Sequence, residues 1–365
     1  MATAPVNGEH VEVVEVEVQD VRCRVDAMLE AFLDRKSRSG ADGHLPPEIV
    51  SALRDFLAAG GKRLRPVLCV YGWRAAGAAT CPDPVIQVAA ALEMFHAFAL
   101  IHDDLMDHTD TRRGRPTVHR VLATHHARRG RRAAEELGAG GALLIGDLAL
   151  TWSDELLHTA GLAPEHLGAL FPPLDQMRTE VMCGQYLDLT STGQPSTDVE
   201  HALRIARYKT AKYTIERPLL IGATLAGADE DLLSKLSAFA LPLGEAFQLR
   251  DDLLGAFGLP AQTGKPALDD LSEGKHTALV AIALKSADAI QARVLRSLYG
   301  NDQLDEQGAA TLREVLKATG AEQAVEDMIR ARHEQALAAL GDTPIPRPVR
   351  DRLEVLAHKA LWRTS

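Results

Sequence analysis

Aromatic residues are scarce in this chain: Phe, Trp and Tyr make up only 4% of its 365 residues. Sandwich and barrel cores lean on aromatic and β-branched side chains. That scarcity, with the Ala- and Leu-rich runs Val88 to Leu92 and Ala336 to Leu340, therefore points to an all-α protein. Cysteine is thin as well. Cys23, Cys69, Cys81 and Cys183 lack both the CxxC spacing of a zinc site and the density of a disulfide scaffold, so they read as small buried thiols suited to a reducing cytoplasm. There is no basic surplus: 40 Lys plus Arg stand against 50 Asp plus Glu, a formal charge of −10, which excludes a general nucleic-acid binder. No uninterrupted apolar run reaches the roughly 18 residues of a membrane span, and no basic-then-apolar leader is expected.

What is present is ordinary globular material, 46% hydrophobic and 25% charged. The first 20 residues, small and polar and then alternating Val with Glu, read as a mobile arm, because a lone strand has no partner in a helical protein. From Val21 the spacing turns helical through Val25, Met28, Leu29, Phe32 and Leu33, so residues 21–365 are expected to form one domain. Pro46-Pro47, Gly60-Gly61, Pro82 with Pro84, Gly193 to Pro195, Pro260 to Pro266 and Pro344 to Pro348 mark helix junctions. The run Gly138 to Gly146 looks like a phosphate loop but lacks the closing Lys-Ser/Thr and a preceding strand, so close helix packing explains it better.

The densest chemistry lies in His102-Asp103-Asp104-Leu105-Met106-Asp107, directly after the apolar stretch Ala97 to Ile101. On a helix Asp103 and Asp107 are four apart and Asp104 and Asp107 three apart, so three carboxylates share a face. Like charges so spaced repel by about a few tenths of a kcal/mol per pair, and a cation should offset them. Mg²⁺ suits such hard oxygens, taking one or two carboxylates and leaving the rest to water and phosphate. A solvated acidic face is the bland alternative, and the apolar sequence just before it argues against that. Truncating Asp103 or Asp104 is expected to relieve repulsion and leave stability intact.

A second pair, Asp251-Asp252, follows Gln248, which lies three and four residues earlier and shares their face. Cations accompany both acidic groups: Lys62, Arg63 and Arg65; Arg112 and Arg113; Lys209 and Lys212 beside Thr210; and Lys265 and Lys275. A surface patch is the usual meaning of such residues. In an acidic chain they suggest instead a polyanion pocket, with Arg forks suited to phosphate oxygens.

Together and in this order, the motifs resemble the trans-isoprenyl (polyprenyl) diphosphate synthase family from about Val21 to the C-terminus. Asp103-Asp104-Leu-Met-Asp107 is similar to its first aspartate-rich motif, and Arg112-Arg113-Gly114 to the segment after it. The resemblance implies an isoprenoid-synthase bundle around a central cavity, a homodimer, and head-to-tail condensation of an allylic diphosphate with isopentenyl diphosphate. It implies Mg²⁺ as cofactor, three ions per site, held by Asp103, Asp104, Asp107, Asp251 and Asp252. By the same resemblance Lys62, Arg65, His96 and Arg113 bind isopentenyl diphosphate, while Arg112, Lys209 and Lys265 hold the allylic diphosphate. Thr210 and Gln248 line the forming carbocation, and Gln185 and Asp188 fall in a Gly-Gln-x-x-Asp stretch. The chain departs from the family at Gly255, where the second motif usually ends in an acid. Asp270 resembles another family acid near the metals.

The helix before Asp103 reads as a ruler for the growing chain. Bulky Phe98 beside small Ala99 resembles geranylgeranyl (C20) synthases, whereas paired aromatics there go with C15 products. Phe98 could instead merely pack in the core, with a shorter or longer product. Two rival functions stay open: a class I terpene cyclase, which needs no second diphosphate site, and a non-catalytic partner subunit, which would be expected to lose first-motif acids.

Overall fold

The computed structural model describes residues 8–39, 45–258 and 268–362. Helices follow one another as α1 (Gly8–Ser39), α2 (Pro47–Ala58), α3 (Leu64–Ala75) and α4 (Asp83–Met106). A hairpin of β1 (Thr111–Arg112) and β2 (Arg115–Pro116) leads to α5 (Val118–His125), α6 (Arg131–His158), α7 (Pro164–Ser191) and α8 (Val199–Ile205). A π-helix (Ala206–Glu216) runs straight into α9 (Arg217–Leu225) and then α10 (Glu230–Phe257). A single turn at Asp269–Ser272 precedes α11 (Ala278–Ser286), α12 (Ala289–Leu298), α13 (Glu306–Ala318), α14 (Ala321–Gly341) and α15 (Arg347–Leu361).

Local chemistry explains most starts. Prolines open α2, α4, α7 and α15, where a missing N–H goes unneeded. Asp229, Asp288 and Asp305 cap α10, α12 and α13 by accepting backbone N–H bonds of the first turn. Pro172, Pro173 and Pro242, by contrast, sit inside α7 and α10.

Several expectations need correction. Residues 8–20 are wound as the first turns of α1, where Glu17 pairs with Arg74 and Arg352 and Glu15 with Lys359, while residues 1–7 of the expected arm lie outside the described residues. Those partners lie in α3 and the last helix, which local spacing cannot reveal. The helices are interrupted by one small hairpin. Only Cys69 is fully buried, while Cys23 and Cys183 are exposed. The helix α4 is long and apolar enough to cross a membrane, yet 72% of its apolar window is buried inside the protein, so it reads as the core helix. The Gly138 to Gly146 run does serve packing, since a Cβ on Gly138 would lie 2.4 Å from the His119 carbonyl and one on Gly146 2.2 Å from His102.

The site hangs on two close approaches. Helix α4 sits at the centre of the bundle with Val88, Met94, Phe95 and Ile101 buried, and delivers Asp103 at its C-terminal end. Helices α3 and α9 meet backbone to backbone. A Cβ on Gly72 would stand 1.9 Å from the Leu219 oxygen, and one on Gly222 1.8 Å from the Cys69 oxygen. That contact seats Arg65, in the first turn of α3, beside the π-helix that leads into α9.

Candidate active site

A cleft opens between α3, α4, α7, the π-helix and α10 in two parts of 340 and 680 Å³, both lined by Asp103, Lys209, Thr210, Gln248 and Asp251. The smaller part is acidic and adds Asp188, Asp252 and Asp270 with Lys275. The larger part is basic and adds Lys62, Arg65, His96, Arg112, Arg113 and Gln185. Nearly all the residues expected at the site therefore converge. Lys265 lies outside the described residues, and Gly255, which replaces the family's acid, lines the acidic part.

The first acidic cluster does not sit as three bare carboxylates. Asp103 accepts from Lys209 Nζ at 3.1 Å, Arg112 Nη2 at 3.1 Å and Gln185 Nε2 at 3.1 Å. Burial alone would raise its pKa, but Lys209, Lys275 and Arg112 outweigh burial and hold the carboxyl well below the usual range. Asp104, only 1% exposed, is turned to Arg112 Nε at 2.7 Å. Asp107 is held by Lys275 Nζ at 2.8 Å. Neither Asp104 nor Asp107 is among the lining residues, so only Asp103 of the three faces the cleft directly.

The second cluster is charged differently. Burial pushes Asp252 up to about 7, opposed by the Gln248 amide at 2.7 Å, while Asp251, Asp270 and Asp188 push it further up. Among the described residues no three His, Cys, Asp or Glu side chains are gathered closely enough to cage a metal alone. The donor set nonetheless fits Mg²⁺, which takes one or two carboxylates and completes its shell with water and phosphate. Asp103 across from Asp251 and Asp252 supplies hard oxygens in a place where accumulated negative charge favours a divalent cation.

The basic part is assembled by strained loops. Among the described residues the non-glycine positions with positive φ are Arg63 (47°), His108 (53°) and Arg113 (53°), of which Arg63 and Arg113 line the cleft. Such conformations cost on the order of 1–3 kcal/mol each and gather at functional sites. Arg113 and Gly114 (71°) form the central pair of the hairpin, both positive as a type I′ turn needs. The Arg113 guanidinium lies against Gly61, where a Cβ would come within 3.0 Å of it. Arg65 donates to Thr214 Oγ1 at 2.6 Å and stacks 4.2 Å from the Tyr213 ring centroid, and His96 Nδ1 lies 3.0 Å from the Tyr213 hydroxyl. Burial first, then Arg65, Arg113, Arg112 and Arg63, push His96 far below its ordinary value, so its imidazole is neutral.

Sequence reasoning missed several groups. Arg63, in the basic run, is structural: it pairs with buried Glu93 at 2.7 Å and Asp26 at 2.9 Å. Tyr213 and Thr214 organise the basic part with no motif to announce them. Phe98 lies outside the cleft lining, packed against Phe95 (5.2 Å) and His102 (4.8 Å), whereas Ala99 lines it.

With this geometry in place, comparison with known proteins is decisive: the polyprenyl synthetase family model matches residues 46–316. The chain belongs to this family. It is 41% identical to a geranylgeranyl pyrophosphate synthase of Corynebacterium glutamicum, solved with isoprenyl diphosphate and magnesium. That match has a TM-score of 0.89 and covers 93% of this chain and 97% of the other. It is 31% identical to a (2E,6E)-farnesyl diphosphate synthase of Mycobacterium tuberculosis over 84% of this chain and 80% of that one. A geranylfarnesyl diphosphate synthase of Aeropyrum pernix is 35% identical over 66% of this chain and 72% of its own length. The chain is thus a short-chain prenyltransferase of the all-α isoprenoid type, from a family that joins allylic and isopentenyl diphosphates.

Because each first-motif acid is tied to a cation, the expected relief of repulsion is replaced by a loss. Asp104→Ala should lower the unfolding free energy of the metal-free protein by about 1–3 kcal/mol, since half-buried Arg112 is left with one partner fewer. Urea denaturation measures this, and an unchanged or raised midpoint would contradict the pairing.

Proposed function

We propose that this prenyltransferase condenses an allylic diphosphate with isopentenyl diphosphate at these residues and releases mainly geranylgeranyl diphosphate. The observation that carries the reading is the division of one cleft into a carboxylate-rich part and a part in which cations predominate, the two meeting at Asp103, Lys209, Thr210 and Asp251. Two diphosphates can lie side by side when one is held chiefly through metal-bearing carboxylates and the other chiefly by cations. Lys209, Arg112 and Lys275 hold the allylic diphosphate and take up its charge as the carbon–oxygen bond breaks. Mg²⁺, three ions in this reading, held by Asp103, Asp251 and Asp252 with Asp104 and Asp107 behind, supplies further electrostatic stabilisation of the leaving group. Lys62, Arg65 and Arg113 hold isopentenyl diphosphate, with neutral His96 adding a polar contact but no charge. Thr210 donates to Gln248 Oε1 at 2.5 Å, so the threonine oxygen keeps lone pairs for the allylic cation while Gln248 stays oriented toward Asp252.

Held side by side in the cleft, the two substrates are close enough for proximity to favour addition over capture of the cation by water. Two further readings come with the family likeness. Exposed apolar side chains on α6 and α7, including Leu144 (60%) and Tyr186 (68%), fit pairing of two copies, and a monomer by sedimentation equilibrium would contradict a homodimer. The four free thiols suit a reducing cytoplasm.

Product length follows from α4. Ala99 lies one turn, about 5.4 Å, before Asp103 on the cleft face, and leaves room where an aromatic would stop the tail. Incubation with Mg²⁺, isopentenyl diphosphate and C5, C10 or C15 primers should give chiefly C20 product, and Ala99→Phe should shorten it to C15. Failure to elongate any primer would refute the function. An unchanged product from Ala99→Phe would refute the ruler.

A further inference from the structure

The segment Ala206–Glu216 is wound as a π-helix of 11 residues. Such winding is rare, mostly limited to single-turn bulges, and frequent at functional sites. Here it brings Lys209 and Thr210 to both parts of the cleft, and Tyr213 and Thr214 to the basic part. So long a run needs holding from outside, and α7 does this at three successive turns. Asp188 accepts from Lys209 Nζ at 2.6 Å. Gly184 lets the backbones touch: a Cβ there would stand 2.3 Å from the Lys209 nitrogen. Glu180, 9% exposed, accepts from Arg217 Nε and Nη2 at 2.8 Å each and from Lys212 Nζ at 2.5 Å. Lys212 and Arg217 are five residues apart, the interval of the π-helical hydrogen bond, so one carboxylate grips both ends of a π-turn. From the opposite side α10 presses Gly244, where a Cβ would come within 2.6 Å of the Ala211 Cα.

We propose that Glu180 is a positioning residue for the condensation: by clamping Lys212 and Arg217 it fixes the π winding and hence the direction in which Lys209 enters the cleft. This rests on the reading that Lys209 holds the allylic diphosphate. The bland alternative is that Glu180 only neutralises buried Arg217 and supports the fold. The two differ in how they combine with loss of Lys209. A residue acting through Lys209 has nothing left to act on once that side chain is gone, whereas a merely structural residue costs the same in any background.

The test is a double-mutant cycle on the full-length enzyme with Mg²⁺, using Glu180→Gln and Lys212→Met, each alone and combined with Lys209→Ala. The quantities read are kcat and the KM of the allylic substrate, corrected for folded fraction by circular dichroism. Glu180→Gln should lower kcat about tenfold and Lys212→Met about threefold when Lys209 is present, and both should change it by less than about twofold in Lys209→Ala. Lys212→Met retains the Glu180–Arg217 pair, so it decides the question if Glu180→Gln does not fold. Equal losses in both backgrounds, or no loss from either substitution, would overturn the positioning role. Normal kinetics from Lys209→Ala alone would instead overturn the reading of Lys209 itself.

Discussion

The cleft depends on one electrostatic constraint: several carboxylates must be gathered inside an apolar bundle without unfolding it. An uncompensated buried charge costs several kcal/mol, far more than the repulsion between neighbours on one helix. The chain meets this by giving each first-motif acid a cation from elsewhere: Asp103 takes Lys209, Asp104 takes Arg112 and Asp107 takes Lys275. Under the proposed function those cations serve twice, holding the carboxylates in the resting protein and phosphate oxygens in the complex. In the second acidic cluster burial, and after it the neighbouring carboxylates Asp251, Asp270 and Asp188, raise Asp252 against the Gln248 hydrogen bond.

Reaching those pairings requires backbone that ordinary helices do not supply. Left-handed residues at Arg63 and Arg113 turn the loops inward, and Gly61 leaves room for the arginine fork. Gly72 and Gly222 let α3 and α9 touch, and the π-helix widens its turn so that one segment serves both halves of the cleft. Strain and rare winding thus sit where substrates would bind, while capped, regular helices surround them.

Much of this was legible because helical spacing and short motifs are local. The two aspartate groups, Gln248, and the cations Lys62, Arg65, Arg112, Arg113 and Lys209 could be read toward one site from their order and spacing together with the family resemblance. What escaped was non-local. Arg63 looked like another phosphate ligand, and only its pairing with Glu93, 30 residues on, marks it as structural. Glu17 in α1 is held by Arg352, 335 residues on. Glu180 carries no motif, since its role comes from packing against a π-helix whose winding no apolar period announces. Phe98 and Ala99 are adjacent in sequence but divide between core and cleft, a distinction set by helix rotation in the finished bundle.

On the proposed function one cleft holds two diphosphates by different means, one through carboxylates and metal and one chiefly through cations. Calorimetric titration of the metal-free enzyme tests it most directly, with isopentenyl diphosphate and an unreactive thiolo analogue of an allylic diphosphate, each with and without Mg²⁺. Isopentenyl diphosphate should bind about equally well in both conditions, and the allylic analogue should bind tightly only with Mg²⁺. Equal metal dependence for the two ligands would contradict the account.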